Sequence, residues 1–332
     1  MIGDRIKLSN GKFFFDDSQI YTAPMNSILL FHDYLFKIVG SETYEHLVTK
    51  AFYPDTKITY DKLREQTKDP KILIQKFLDK INYFGYGEFY LLNLNENKII
   101  ISHKIYYLNH IFKKVFNSNC DVSPIVSVTS YLKNFISLVY GYEFDLNTIE
   151  KGPGLTFVLK KTNKKFNLDE FSNYKYPKYE KGNISPGAKH LILNGSFKVE
   201  NGQFKISGVN TCILPYFFLF EFYKFFLENE KVRELISSIG YAQGKVLIDM
   251  CMLFGIKKGK DTFITTMNMT DLWGFGRFNF NINDLTNIKY EESNFEYYNQ
   301  FYSKEVIDVF LNNILEIFQN IDEKYFFSFF RM

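Results

Sequence analysis

The segment FGYGEF at residues 84–89 and the segment WGFGRF at residues 273–278 share one pattern: an aromatic residue, Gly, a second aromatic residue, Gly, a variable residue and Phe. With the composition of this chain, the pattern is expected by chance at a rate on the order of 10⁻⁵ per position. A polar turn, a second strand-like run and a long helical pattern follow each segment. The repetition predicts that the chain holds two diverged copies of one unit.

The two copies remain collinear outside these glycine segments. NGKFFF at 10–15 parallels NGQFKI at 201–206, and at the same offset Pro24 falls on Pro215 at the start of an aromatic helix. We therefore divide the chain into a first copy over 1–160, a linker over 161–190 and a second copy over 191–332. The two copies are expected to superpose, with Gly85 on Gly274 and Pro24 on Pro215.

Each copy shows a short pair of strands followed by helical spacing of its apolar residues. In the first copy the spacing predicts strands at 12–15 and 19–21, a helix capped by Thr22 that ends at Gly40, and a second helix over 41–52. Further along we expect a helix capped by Asp69, a hairpin strand over 84–92, a long helix after Ser123, and strands near 142–146 and 155–159. The second copy is expected to end on a strand over 325–329. The fold class is α+β: two similar tandem domains, each a helical layer plus a small antiparallel sheet, related by a pseudo-two-fold axis and packed through their aromatic helices.

The composition indicates a globular protein of the cytoplasm. Hydrophobic residues make up 46% and charged residues 23% of the 332 residues, which supports a proper core. The chain opens MIGDRIKLSN, without the apolar run of an export signal, and the apolar stretch 212–227 is interrupted by charges, as in a buried helix and unlike a membrane span. Cys120, Cys212 and Cys251 form no CxxC pair, which suits a reducing compartment.

The order of elements and the paired glycines resemble the 4-vinyl reductase-like domain superfamily. Its marks are a glycine in the early helical region, here Gly40 in the first copy and Gly240 with Gly244 in the second, and a Gly-x-Gly before the hairpin strand. The superfamily includes aromatic-sensing domains of bacterial activators and core subunits of the transport particle that tethers vesicles. Some members hold zinc through cysteines near the last hairpin, but residues 150–157 contain none. The resemblance implies dimerisation through helices, so this chain is expected to be a monomer with an internal pseudo-dimer, or a homodimer.

The sequence contains no motif of a catalytic or metal site. The five histidines lack HxxxH or HExxH spacing, and the chain has no nucleophile elbow and no P-loop. The Gly-x-Gly pairs lack the third glycine of a dinucleotide site. We expect no metal, no cofactor and no enzymatic activity, and we interpret the glycines as positions of close backbone packing or a bulge. These structural glycines are Gly85, Gly87, Gly274 and Gly276.

The linker offers a weak nucleic-acid signal. It carries seven Lys against three acidic residues, and Lys175, Tyr176, Lys178 and Tyr179 interleave bases with aromatic rings, a composition that can contact phosphates and stack on bases. Four net charges are few, and no helix-turn-helix accompanies them. A solvated linker is the simpler interpretation, so we expect no nucleic-acid partner and keep a nucleic-acid-linked regulator only as a third hypothesis.

The aromatic helix over 215–226 provides the candidate ligand-binding residues. It is apolar almost all round, which is typical of a helix buried on most sides; it could be core or the interface of a pseudo-dimer, or it could line an apolar pocket. The sequence predicts a non-enzymatic regulatory module for an apolar or aromatic small molecule, with a protein-interaction scaffold as the alternative. An enclosed apolar cavity would favour the first, and a filled core with an exposed apolar patch the second. The candidates are Phe217, Phe218, Phe220, Phe222, Tyr223 and Trp273.

Overall fold

The computed structural model confirms the α+β fold class. It describes residues 5–9, 12–104, 125–151, 154–166, 173–182, 197–206, 208–233, 278–281, 284–290, 295–321 and 330–331, together with residues 261, 264–265 and 274. Helices and antiparallel strands occur in both halves of the chain. One continuous core of buried side chains runs through both halves.

Three short strands open the chain, joined by tight turns. They are β1 (Ile6–Ser9), β2 (Lys12–Phe15) and β3 (Ser18–Pro24), and each pairs antiparallel with the next. Asp16 and Asp17 form the β2–β3 turn with φ of 48° and 63°, the left-handed conformation that Asp tolerates better than most residues.

A matching set of strands lies in the second half. It comprises β8 (Phe197–Glu200), β9 (Gln203–Ile206) and β10 (Val209–Pro215). These strands begin at positions 197, 203 and 209 and their counterparts begin at 6, 12 and 18, so the offset between the two sets is constant. Because β3 pairs antiparallel with β10, the two sets join into one six-stranded sheet of order β1-β2-β3-β10-β9-β8.

The register between β3 and β10 is symmetric about one residue pair. Thr22 pairs with Ile213, and these two residues hold the same position in their respective strands; on one side Tyr21 pairs with Leu214, and on the other Ala23 pairs with Cys212. An approximate two-fold axis therefore passes through the centre of this sheet. The sequence predicts a small sheet in each half, and such sheets are present; in addition the halves share this six-stranded sheet, which gives the buried strand β3 a hydrogen-bonded partner on both edges.

Three helices follow β3: α1 (Met25–Val39), α2 (Ser41–Gln66) and α3 (Pro70–Ile81). The predicted cap at Thr22 is wrong, because Thr22 belongs to β3 and α1 begins after Pro24. The predicted end of the second helix near residue 52 is also wrong, because α2 continues through Pro54 as far as Gln66. The cap at Asp69 is confirmed, since its Oδ1 accepts from the Lys71 N–H at 2.8 Å.

A four-stranded antiparallel sheet closes the first half. Its strands are β4 (Phe89–Asn95), β5 (Lys98–His103), β6 (Tyr142–Lys151) and β7 (Gly154–Lys165) in the order β4-β5-β7-β6, and helix α4 (Ile125–Tyr140) precedes β6. Strand β4 begins later than residue 84 because residues 85 and 87 adopt φ of 89° and 112°. The start of the predicted linker, residues 161–165, belongs to β7.

The remainder of the second half is described in part. Helix α5 (Tyr216–Glu228) follows β10, as α1 follows β3, and the short helix α6 (Glu230–Arg233) comes next. A three-stranded sheet contains β11 (Phe278–Asn281), β12 (Asp284–Tyr290) and β13 (Phe330–Arg331), with β13 parallel to β12. A 3₁₀ turn over Glu296–Gln300 and helix α7 (Lys304–Ile321) lie between β12 and β13. The predicted strand over 325–329 lies outside the described residues.

Within the parts of the chain given above, no helix has the length and hydropathy that crossing a membrane requires.

Candidate functional site

The aromatic helix α5 is buried along most of its length. Phe217, Phe218, Phe220 and Phe222 are at most 1% exposed and Tyr223 is 4% exposed. Trp273, the sixth ligand candidate, lies outside the described residues. The structure therefore places five of the six candidates in the interior.

Two of the candidates on α5 face the helices of the first half. The Phe218 ring lies 4.5 Å from Phe52 of α2, and the Phe222 ring lies 5.1 Å from Phe31 of α1. Both rings also contact the imidazole of His32, at 6.0 and 6.3 Å. This face of α5 joins the two halves.

The other candidates on α5 contact the second half. Phe217 and Phe220 lie 5.3 and 4.8 Å from Tyr298, and Tyr223 lies 5.8 Å from Phe310. These rings point away from Phe218 and Phe222, so the five side chains do not surround one pocket. The helix is core on one side and interface between the halves on the other.

A chain of polar groups lies within the aromatic interior, centred on His32 of α1. The hydroxyl of Tyr44 on α2 is in hydrogen-bond contact with His32 Nδ1, and Ser127 Oγ on α4 lies 3.2 Å from His32 Nε2. All three residues are at most 2% exposed. Burial lowers the pKa of His32 to about 3, so the ring is neutral at physiological pH and bonds through one donor and one acceptor nitrogen.

A second buried polar cluster surrounds Asp55 of α2. Tyr131 of α4 donates to one carboxylate oxygen and Tyr176, from the segment after β7, donates to the other. Lys80 of α3 forms an ion pair with Asp55 at 3.5 Å. Burial raises the pKa of both tyrosine hydroxyls well above the ordinary value, so they stay protonated and act as donors.

Lys80 connects this buried cluster to a polar cleft. Its Nζ donates to Thr59 Oγ1 at 2.6 Å and to Ser18 Oγ at 3.5 Å, and the residue is 7% exposed. Burial lowers the pKa of Lys80, although the negative charge of Asp55 acts in the opposite direction.

The cleft has a volume of about 470 Å³, within the range of small-molecule sites. The turn between β2 and β3 and the start of β1 form one wall, and α2 and α3 form the other. Its charged lining residues are Arg5, Lys7, Asp16, Asp17, Lys62, Lys76, Asp79 and Lys80.

The predicted structural glycines lie where backbones from the two halves meet. A Cβ on Gly85 would lie 2.4 Å from Thr211 O, and one on Gly274 would lie 2.7 Å from Ile20 O. Gly87 faces His103, whose Nε2 would lie 1.9 Å from a Cβ. Gly276 is outside the described residues. Gly85 and Gly274 therefore lie close to backbone atoms of the other half, whereas Gly87 lies against a side chain.

The interleaved basic and aromatic residues of the linker are only partly available to solvent. Lys175 and Lys178 are exposed, whereas Tyr176 is 8% exposed and bonded to Asp55. Tyr179 is half-buried, with its ring 5.5 Å from Phe14. The expectation of a solvated linker is therefore wrong for Tyr174, Tyr176 and Tyr179, because their rings pack on the core.

The thiol of Cys212 is buried, and burial raises its pKa to about 12, so it is inert as a nucleophile. Cys120 and Cys251 lie outside the described residues. In the described portion of the chain, no three His, Cys, Asp or Glu side chains group together as a metal ion would require.

Sequence reasoning missed His32, Asp55 and Lys80, although one signal marks all three. Each occupies a position on the apolar stripe of its helix: His32 follows Ile28 by four residues, Asp55 follows Ala51 by four, and Lys80 follows Phe77 by three. A polar residue at such a position is buried with its neighbours and needs a partner.

No protein-family model and no curated protein matches the chain. Among solved structures, it is similar to the phenol-responsive sensory domain of the transcription activator PoxR, determined with phenol. The identity is 10% and the TM-score 0.40, over 48% of this chain and 86% of that domain. At this level of similarity, phenol binding is a property of the PoxR domain alone.

Proposed function

We propose that this chain is a non-enzymatic regulatory module that binds a small aromatic molecule bearing a hydroxyl group, beside His32 in the interior between α1, α2, α4 and α5. The observation that carries the proposal is the buried chain of Tyr44, His32 and Ser127, surrounded by aromatic rings. Sites for small molecules are mostly apolar, with few polar groups that fix the orientation of the ligand. This interior has that composition.

The chemistry of the polar chain suits a phenolic hydroxyl. Tyr44 and Ser127 occupy both nitrogens of the neutral imidazole, but a serine hydroxyl has one donor and two acceptor positions, so Ser127 can bond a ligand hydroxyl as well as His32. The rings of Phe31, Phe218 and Phe222 lie 5.3 to 6.3 Å from the imidazole, the distance range of edge-to-face aromatic contacts. A ligand ring there would contact α1 and α5 together.

The regulatory part of the proposal follows from where α5 lies. A ligand that changes the distance between Phe222 and Phe31, whose rings lie 5.1 Å apart, alters the contact between the two halves. We propose that the halves arose by duplication and form an internal pseudo-dimer; the constant offset between the two strand sets and the symmetric register about Thr22 and Ile213 support this. The interior is densely packed with rings, so binding has to open the packing between α1 and α5.

The test is calorimetric titration of the purified protein with phenol, using cyclohexanol and toluene as comparison ligands. Ser127→Ala removes one partner of His32, and Ser137→Ala is the matched control, because Ser137 is also buried on α4 and its hydroxyl has no hydrogen-bond partner within the described residues. We expect S127A to weaken phenol binding by roughly 3- to 10-fold, the value of one hydrogen bond, and S137A to leave it unchanged.

Two results would overturn the proposal. One is an absence of heat and of any stabilisation by phenol in the parent protein; the other is equal weakening by S127A and S137A. If the protein binds toluene more tightly than phenol, the ligand is an apolar aromatic molecule and the proposed hydroxyl group is wrong.

A protein-interaction scaffold is the second candidate function. Two observations favour it. The rings of α5 pack on neighbouring rings and do not surround a pocket. Apolar surface is also exposed: Tyr34 and Ile38 on α1 are 60% and 41% exposed, and Tyr90 and Leu92 on the edge strand β4 are 40% and 61% exposed. Apolar residues on an unpaired edge strand are typical of a contact surface. If no aromatic ligand binds and substitution of Leu92 by Lys abolishes capture of a partner by the folded protein, the scaffold becomes the better proposal.

A further inference from the structure

We propose that the polar cleft between the β2–β3 turn, α2 and α3 binds a small molecule carrying phosphate or carboxylate groups, through Lys62, Lys76 and Lys80. This site is separate from the aromatic interior and does not depend on the aromatic-ligand proposal. Its cationic groups come from two helices that meet at the cleft, and its floor is a buried ammonium group.

The charge balance of the cleft favours an anion. Its lining contains five basic and three acidic side chains. Two of the acids are already paired: Asp16 with Arg5 and Asp17 with Lys7, the latter at 2.6 Å. The third, Asp79, accepts a hydrogen bond from Gln75 at 2.9 Å.

Lys62, Lys76 and Lys80 are the remaining cations of the lining, and of these Lys80 is already paired with the buried Asp55. Lys76 donates to the uncharged oxygen Oε1 of Gln66 at 2.7 Å, and Lys62 is exposed and makes no ion pair with another described residue. Lys62 lies near enough to Lys80 for the two positive charges to repel each other, and burial together with this repulsion lowers the pKa of Lys80. An anion placed between them relieves this repulsion and gains charge-assisted hydrogen bonds from the exposed Lys62 and Lys76.

Lys80 gives the site a fixed floor. Its side chain is held by Thr59, Ser18 and Asp55, so binding requires little further ordering of its four-carbon stem. Lys62 and Lys76 lie at exposed positions on the rim of the cleft. A preorganised cation beneath two exposed ones is suited to a group with several anionic oxygens.

The proposed ligand has the size of a metabolite. A cavity of about 470 Å³ exceeds the volume of one inorganic ion and lies at the lower end of the range for small-molecule sites. Leu63 and the stems of the lysines provide the apolar part of the lining. The anionic group would bind at the floor and the rest of the molecule toward the opening.

The test is calorimetric titration of the full chain with inorganic pyrophosphate and, separately, with citrate, which distinguishes phosphate from carboxylate ligands. The variant K62Q/K76Q removes two cations of the cleft. The control R64Q/K71Q removes two exposed cations from the same two helices, outside the lining of the cleft. All four positions are exposed, so both variants should fold.

We expect the parent protein and R64Q/K71Q to bind at least one of the two anions with similar affinity, and K62Q/K76Q to bind it about tenfold or more weakly, since two charge-assisted contacts are lost. S127A should bind the anion as the parent does, which separates this result from the aromatic-ligand test. The proposal is overturned if the parent binds neither anion, or if both charge variants weaken binding equally.

Discussion

Gly85 permits the first half of the chain to approach strand β10 of the second half. Its φ is 89°, in the left-handed region that favours glycine, and the adjacent Phe84 carbonyl accepts from the Ile213 N–H at 3.0 Å. Gly274 approaches Ile20 O in the same way. Ile20 holds the same position in β3 that Thr211, the residue approached by Gly85, holds in β10. The two contacts are reciprocal across the shared sheet.

This arrangement predicts different costs for two alanine substitutions. Gly141 has a φ of 73° and open space around its Cα, so Gly141→Ala adds only backbone strain of about 1–2 kcal/mol. Gly85→Ala adds the same strain and a clash with Thr211 O, which we expect to cost about 1–3 kcal/mol more. Urea unfolding of both variants measures the difference. Equal stabilities of G85A and G141A would show that the close approach is relaxed easily.

At the scale of secondary structure, His32 of α1 is hydrogen-bonded to Tyr44 of α2 and to Ser127 of α4. A protonated imidazole is disfavoured in the folded protein because its charge would be buried away from water. Burial therefore lowers the pKa of His32 to about 3 and that of His103 to about 4. The unfolded chain binds these protons at the ordinary pKa near 6.5. Between about pH 6.5 and pH 4 the unfolded state therefore holds more protons, so the stability of the fold decreases as the pH decreases.

We expect His32→Gln to be less stable than the parent at pH 7 but also less sensitive to acid. Between pH 6 and pH 5, the free energy of unfolding of the parent should decrease by about 1.2 kcal/mol more than that of H32Q, since nearly one proton fewer is linked to unfolding in the variant. Urea titrations at both pH values measure this. His46→Gln is the control, because His46 is exposed on α2. Parallel pH dependence of H32Q and the parent would contradict the burial of a neutral ring.

Helix α5 shows how one element serves both halves. Its Phe218 and Phe222 pack on α1 and α2, and its Phe217 and Phe220 pack on the segment near Tyr298. Nearly all-round burial explains why its apolar pattern has no polar stripe. The same burial explains why the pattern cannot distinguish a core from a ligand pocket.

At the scale of the whole molecule, the six-stranded sheet makes each half dependent on the other. Without β10, strand β3 would expose an unpaired and largely apolar edge, which favours association with another chain. A fragment of residues 1–166 is therefore expected to form dimers or larger species through β3, and the full chain to unfold in one transition. Light scattering after size exclusion and urea unfolding measure both. A monomeric fragment as stable as the full chain would contradict the shared sheet.

The α+β class, the order of elements from β2 to β7, the cap at Asp69 and the close packing of Gly85 were predictable from the sequence, whereas strand β1 was missed. These features depend on local periodicity, on capping chemistry and on the steric freedom of glycine, which neighbouring residues largely determine. The repeat over 10–15 and 201–206 also predicted matching strands, and β2 and β9 occupy those positions.

Only the tertiary structure decided which surfaces those elements bury against one another. The pairing of β3 with β10 joins strands from opposite halves of the chain, and Tyr176 of the predicted linker meets Asp55 of α2. The cleft above Lys80 likewise exists only because β1, α2 and α3 pack beside one another in the fold. No local pattern encodes such contacts, because the free energy that selects them comes from burying a polar side chain with its partner and an apolar face against its complement.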